Sequence, residues 1–345
     1  MNKKYLAGLV LLVLAGMGVK GVKKAKAQNM FLTPPKNTAF QLFEEQLPSL
    51  DWQTSLQTAD FKAYLDFYHL NFEGVEHYAG TIDNAQGQKT FVHVLKNKTG
   101  PIRGTIFAHH GYFVHSAMLK YLIDRALKEN YQVVVADLPG HGLSEGEKVS
   151  IQDFSDYADM VSLLTPMIQE HMPEPLFLLG HSTGGAAVWE YLLQNPTNPY
   201  KKVVLGAPLV RSYAWQWSAT GFYLGQGFIK EVPRLLRPTT REPEFLAVTL
   251  KDPLQYGRTP VQWVRALIEW NDRKIQNYPP ANTDMLILQG TDDTVVEASY
   301  NIPFLKQKFP DARIEWIQDC RHDMFWEIKP MRDRVLDMTF DFLKS

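Results

Sequence analysis

The chain has 345 residues, 45% of them hydrophobic, which is too apolar for a disordered chain and enough for a sizeable core. Its 36 basic and 37 acidic side chains leave a formal net charge of −1, so no general attraction to phosphate backbones exists and nucleic acid is not expected as a partner. The only cysteine, Cys320, rules out an internal disulfide but leaves the compartment open.

At the N-terminus, Lys3 and Lys4 precede an uncharged, mainly apolar run over residues 5–19, and Ala25-Lys26-Ala27 has the small-x-small pattern of a cleavage site. The run is shorter than the ~20 residues of a bilayer-spanning helix and suits the apolar part of a signal peptide. Residues 1–27 are therefore expected to direct export to the periplasm or the exterior. Lys20, Lys23, Lys24 and Lys26 follow the run and could hold that end inside, which makes an N-terminal membrane anchor the alternative. Residues 28–50 read as a linker, because Pro34-Pro35 blocks helix and strand alike.

Residues 55–68 place Leu56, Phe61, Tyr64, Leu65 and Tyr68 at roughly helical spacing. Residues 76–82 and 90–95 read as two strands joined by a polar turn. Short apolar runs then follow at 104–109, 132–136, 176–179 and 202–205, with helix-like segments at 118–128, 154–169 and 186–194 between them. Continuous apolar strands alternating with helices imply an α/β fold with a mainly parallel sheet covered on both faces. The alternation breaks over residues 209–280, which are rich in aromatics and prolines, read as several helices and hold no convincing apolar strand. It resumes with a strand at 285–288, a helix at 299–308, a strand at 313–317 and a terminal helix from Trp326. The core is thus expected over 51–208 and 281–345. Residues 209–280 form an inserted helical cap over the C-terminal edge of the sheet, where such sheets place their ligands.

Gly180-His181-Ser182-Thr183-Gly184 follows one of the apolar runs and opens a helical one. A serine on so tight a strand-to-helix turn adopts an unusual backbone conformation, and the flanking Gly180 and Gly184 keep the approach clear. Its hydroxyl needs a base to become a nucleophile. His322 is the only histidine beyond Ser182, and it follows the strand at 313–317. The acid that orients the base should end the preceding strand, where Asp292 and Asp293 are adjacent. Asp293 is preferred, with Asp292 read as a turn residue. Backbone N–H groups of Thr183 and Tyr112 are the expected donors to a developing oxyanion, Gly111 permitting close approach. His109, His110 and His115 lack a further ligand at familiar spacing, so no metal site is inferred. Asp137-Leu138-Pro139-Gly140-His141-Gly142 reads as a structural turn lining the site.

Together, His110-Gly111, the stretch from Asp137 to Gly146, the GHSTG motif, the segment from Gly290 to Val296, and His322 with Glu327 resemble the α/β-hydrolase superfamily. The resemblance is to its monoacylglycerol lipase and lysophospholipase branch, the serine aminopeptidase-like group, and covers residues 76–343. It implies an eight-stranded sheet and a serine esterase acting through Ser182, His322 and Asp293, with no metal or organic cofactor. The implied substrate is a small ester or monoacyl lipid. Trp215, Trp217, Phe222, Tyr223 and Phe228 crowd the first half of the cap, either as an acyl-chain or membrane-facing surface or as the cap's own core. His110, Gly111, Trp215, Trp217 and Phe222 are candidate substrate contacts. Lys230, Arg234, Arg237 and Arg241 could meet a lipid phosphate or form a solvated basic face. The rival readings are a short-chain esterase, a prolyl aminopeptidase, which would need an acidic cluster in the cap, and an inactive binding protein of the same fold.

Overall fold

Continuous apolar runs along extended segments build the frame. A computed structural model describes residue 32 and residues 40–84, 87–216, 219–220, 229–234 and 236–345. The segment read as signal peptide or anchor lies outside the described residues, and no helix among those described is long and apolar enough to cross a membrane.

The strands are β1 (Val75–Asp83), β2 (Lys89–Asn97), β3 (Thr105–His109), β4 (Gln132–Ala136), β5 (Leu176–His181), β6 (Tyr200–Gly206), β7 (Glu231–Pro233), β8 (Arg258–Pro260), β9 (Met285–Gly290) and β10 (Arg313–Ile317). Eight form one sheet in the order β1-β2-β4-β3-β5-β6-β9-β10. Only β2 runs antiparallel to its neighbours; every other pairing in this sheet is parallel. The strand order reverses around β3, which lies between β4 and β5, and the C-terminal ends beside that reversal form a natural crevice.

The helices are α1 (Gln41–Glu45), α2 (Ala59–Tyr68), α3 (Lys120–Lys128), α4 (Asp156–His171), α5 (Thr183–Gln194), α6 (Pro243–Lys251), α7 (Val261–Arg273), α8 (Ala298–Lys308) and α9 (Lys329–Lys344). Successive strand residues point to opposite faces and so feed two cores. Phe107, Val134 and Leu178 pack with Tyr157, Trp189, Trp270 and Phe304 on one face. Ile106, Val135 and Leu179 pack with Phe61, Ile123 and Phe340 on the other.

Two segments depart from the sequence expectations. Residues 40–50 are not a linker: α1 forms there, Phe40 and Phe43 are buried, Phe43 packs on Phe61 at 5.2 Å between ring centroids, and Ser49 bridges Thr81. The cap segment, expected to lack strands, contains the antiparallel β7–β8 ribbon, whose three-residue strands are too short to show a period. Helix α2 starts at Ala59 and not at residue 55, because the Thr58 hydroxyl accepts the N–H of Phe61 at 3.3 Å and caps it.

A buried ion pair ties the cap segment to the core. Asp252, which follows α6, accepts the Tyr68 hydroxyl at 2.7 Å and pairs with His115 Nε2 at 2.9 Å; Gln255 Nε2 donates to it at 2.8 Å. Burial opposes charge on both partners, but each charge outweighs that for the other: His115 is raised above its ordinary pKa and Asp252 held below its own. Asp252→Ala, which leaves His115 without its carboxylate, is expected to cost about 3–5 kcal/mol in urea unfolding. A loss under about 1 kcal/mol would remove this tether from the account.

Candidate active site

Loops leaving β3, β5, β9 and β10 converge at the C-terminal edge. Ser182 sits between β5 and α5 at φ 54° and ψ −115°, a region that residues with a Cβ rarely occupy. The turn is held by the Ser182 N–H donating to the Gly206 carbonyl at 3.0 Å and the Leu209 N–H donating to the Ser182 carbonyl at 3.0 Å. Its glycines are required by contact. A Cβ on Gly180 would lie 2.5 Å from the Gly184 carbonyl oxygen, and one on Gly184 would lie 2.4 Å from that of His110.

His322 Nε2 lies 3.0 Å from Ser182 Oγ, and its Nδ1 lies 2.9 Å from Asp293 Oδ2. A proton on Nδ1 donates to the carboxylate and leaves Nε2 to accept from the serine. Asp293 is itself oriented, since Oδ1 accepts the N–H groups of Val295 (2.8 Å) and Val296 (3.2 Å) and Oδ2 accepts from Gln289 at 3.1 Å. Ser182 and His322 are buried, and the Asp293 side chain is 1% exposed. Burial works against both charges here as well. Even so, the Asp293 carboxylate raises His322 above the usual histidine value, and His322 holds Asp293 below the usual carboxylate range. Asp292 points elsewhere: it pairs with Arg241 at 2.6 Å near the surface.

Gly111, Tyr112 and Thr183 border the same cavity as Ser182 and His322. A Cβ on Gly111 would lie 3.2 Å from the Ser182 Cβ, so the loop after β3 reaches the serine closely. The Tyr112 ring stacks on Trp263 at 3.9 Å, and its hydroxyl donates to the Val149 carbonyl at 2.7 Å.

His110 is not a lining residue. Its Nδ1–H donates to the Gly111 carbonyl at 2.8 Å, its Nε2 accepts the Leu138 N–H at 2.9 Å, and burial pushes its pKa down to about 3. It is a neutral brace for the Gly111-Tyr112 loop. Asp137 likewise braces the site without lining it, accepting the N–H groups of Ser116 (2.7 Å) and Leu143 (2.8 Å). His109 is fully buried, and no group of three or more His, Cys, Asp or Glu among the described residues is placed to hold a metal ion.

The roles of two further residues were not foreseen from the sequence. His181 Nε2 donates to the His322 carbonyl at 2.9 Å. Glu327, fully buried, accepts the N–H of Arg321 at 3.1 Å and pairs with Arg241 at 3.2 Å, bracing the loop that carries His322. The histidine inside the GHSTG motif was the available signal for the first. Glu327 gave only its place beyond His322.

The cavity measures about 520 Å³, within the usual range for small-molecule sites. Its walls are mainly apolar, with Trp215, Trp263, Leu267, Val232, Phe245 and Leu246 from the cap segment facing Val295 and Val296 from the core. Trp217, Phe222, Tyr223 and Phe228 lie outside the described residues.

Comparison with known proteins places the chain in a family. The family described as serine aminopeptidase, S33, matches residues 100–329. The monoacylglycerol lipase of Mycolicibacterium smegmatis is 26% identical over 252 residues, 70% of this chain and 89% of that protein. Phospholipase YtpA of Bacillus subtilis is 25% identical over 235 residues, 66% of this chain and 89% of that protein. A soluble variant of monoglyceride lipase from Saccharomyces cerevisiae has the same fold, with a TM-score of 0.65 at 19% identity over 75% of this chain and 92% of that one. The sheet, the flanking helices and the family match together place the chain in the serine aminopeptidase, S33, family of α/β-hydrolases, as a monoacylglycerol lipase-like member.

Proposed function

We propose that the protein is a serine hydrolase that cleaves carboxylic esters of monoacyl lipids through Ser182, His322 and Asp293. The observation that carries this reading is the unbroken hydrogen-bond chain from Asp293 through His322 to Ser182, opening on a mainly apolar cavity. Ser182 Oγ attacks the ester carbonyl carbon as His322 Nε2 takes its proton. The oxyanion is met by the backbone N–H groups of Tyr112 and Thr183. Collapse expels the alcohol, which carries away the proton from His322. Water then attacks the acyl-enzyme and gives its proton to His322, which passes it to Ser182 Oγ as the bond to the acyl group breaks and the fatty acid leaves.

Two of the three cap carboxylates that a prolyl aminopeptidase could gather around a substrate ammonium are engaged elsewhere, and Glu242 is the one of the three that lines the cavity. Asp252 pairs with His115, and Glu244 pairs with Lys120 at 3.0 Å and accepts the Tyr121 hydroxyl. An ester with an acyl chain suits the cavity better than a charged N-terminus.

The test is a substrate panel with Ser182→Ala alongside: p-nitrophenyl esters of graded length, a monoacylglycerol, a lysophosphatidylcholine and a prolyl amide. Serine-dependent release from the long-chain monoacyl lipids is the expected result. Activity confined to short esters or to the amide would overturn the substrate assignment. The N-terminal lysines, apolar run and Ala-x-Ala pattern lead us to propose export with cleavage after Ala27, so the mature chain should begin at Gln28. Mass spectrometry that finds a chain beginning at Met1 would replace export and cleavage with an uncleaved anchor.

A further inference from the structure

Side chains of the cap segment grip the loop that carries Tyr112, whose N–H is the proposed oxyanion donor. That N–H belongs to the Gly111-Tyr112 peptide, and the carbonyl end of the same peptide accepts from His110 Nδ1 at 2.8 Å. The contact pins one end of the peptide; the other end follows the Tyr112 Cα. The Tyr112 ring stacks on Trp263 of α7 at 3.9 Å between centroids and 18° between planes. Trp263 is held in turn, its Nε1–H donating to the Tyr157 hydroxyl at 3.2 Å.

The next residue is strained. Phe113 has φ 65°, in the left-handed region that a bulky side chain rarely occupies. Such a backbone persists only where its surroundings hold it. The Arg234 guanidinium lies over the Phe113 ring at 4.1 Å from its centroid. Arg234 donates to Gln255 Oε1 at 2.7 Å, and Gln255 Nε2 donates to Asp252 at 2.8 Å. Asp252 pairs with His115, so the grip on Phe113 runs back to the buried ion pair between cap segment and core.

Two consecutive loop residues therefore rest on the cap segment, one through a ring stack and one through a cation over a ring. An oxyanion donor works by standing, already oriented, where charge develops in the transition state. A misplacement of about 1 Å can cost ~10²-fold in rate. Because the charge is absent from the ground state, such a loss falls on kcat and not on KM.

We propose that Trp263, with Arg234 as a second contact, is a positioning residue for the Tyr112 N–H, acting through Tyr112 and not on the substrate. This rests on the ester-hydrolase reading above. The test uses the shortest p-nitrophenyl ester that the parent cleaves, because a short acyl group depends least on the cavity's apolar walls. Trp263→Leu keeps apolar bulk but offers no ring face, and Tyr112→Leu removes the ring while keeping the backbone N–H.

Each variant should lower kcat by about 10- to 100-fold while KM changes by less than about three-fold. The double variant should be no worse than the poorer single one, because the stack can be lost only once. Trp263→Phe, which can still stack, should recover most of kcat. The acid limb of the pH profile, set by His322, should stay in place throughout. Thermal unfolding checks each fold. If Trp263→Leu does not fold, Arg234→Met at a partly buried position takes its place, with a kcat loss of at least about three-fold expected. An unchanged kcat in whichever variant is used, a loss confined to KM, or losses that multiply in the double variant would overturn the proposal. A parent with no Ser182-dependent turnover of any ester would instead sink the hydrolase reading itself.

Discussion

Ser182→Ala should lower kcat/KM on the best ester by at least about 10⁴-fold, with no comparable loss of stability. The hydroxyl is the only group removed, and it supplies the bond-forming oxygen 3.0 Å from His322 Nε2. The turn around it is held by backbone hydrogen bonds to Gly206 and Leu209, which alanine keeps. Alanine meets the same strain as serine at φ 54°, so no new backbone cost arises. What survives should be the modest acceleration from binding and the oxyanion donors alone. Thermal unfolding of the variant beside the parent separates a lost nucleophile from a lost fold. A variant that folds normally and keeps more than a tenth of the activity would remove Ser182 from the chemistry.

Asp293→Asn should cost turnover on the order of 10³–10⁴-fold, whereas Asp292→Asn should cost little. The adjacent aspartates sit in opposite settings. The Asp293 side chain is buried and accepts from His322, Gln289, Val295 and Val296, while Asp292 forms an ion pair with Arg241 near the surface. Surface pairs of that kind contribute about 0–1 kcal/mol. The pH profile adds a readout that a merely structural role would not move. His322 acts as base only when neutral, so kcat/KM falls as pH drops through its pKa, which lies above the ordinary histidine value. Neutralising Asp293 removes the charge that raises it, while burial continues to lower it. The acid limb of the residual activity should therefore move to lower pH in Asp293→Asn and stay in place in Asp292→Asn. A larger loss in Asp292→Asn, or an unmoved limb in Asp293→Asn, would reverse the assignment.

Much of the frame was legible from residues alone. Wholly buried parallel strands leave continuous apolar runs, and those at β3, β4 and β5 are buried along their full length. Gly180 and Gly184 were readable because only glycine fits where a Cβ would strike backbone oxygens. His322 was identified by having no rival beyond Ser182. Composition, strand–helix alternation and short motifs are local properties, and the chain by itself determined them.

The rest depended on which distant segments meet. His110 is 28 residues from the Leu138 N–H that makes it a brace and not a substrate contact, and His181 is 141 residues from the carbonyl it holds. Asp252 meets His115 across 137 residues. No period or spacing encodes such pairings, because a side chain's partner is set by the path of the backbone and the exclusion of water around it. The same holds for residues 40–50, whose few aromatics have no helical or strand period long enough to read, yet bury Phe40 and Phe43 once α2 offers a surface. Sequence determined the strands, helices and reactive residue types; tertiary structure alone decided which polar groups brace the site and which line the cavity. Local chemistry is written in neighbours, but burial and charge pairing arise only when the chain has closed on itself.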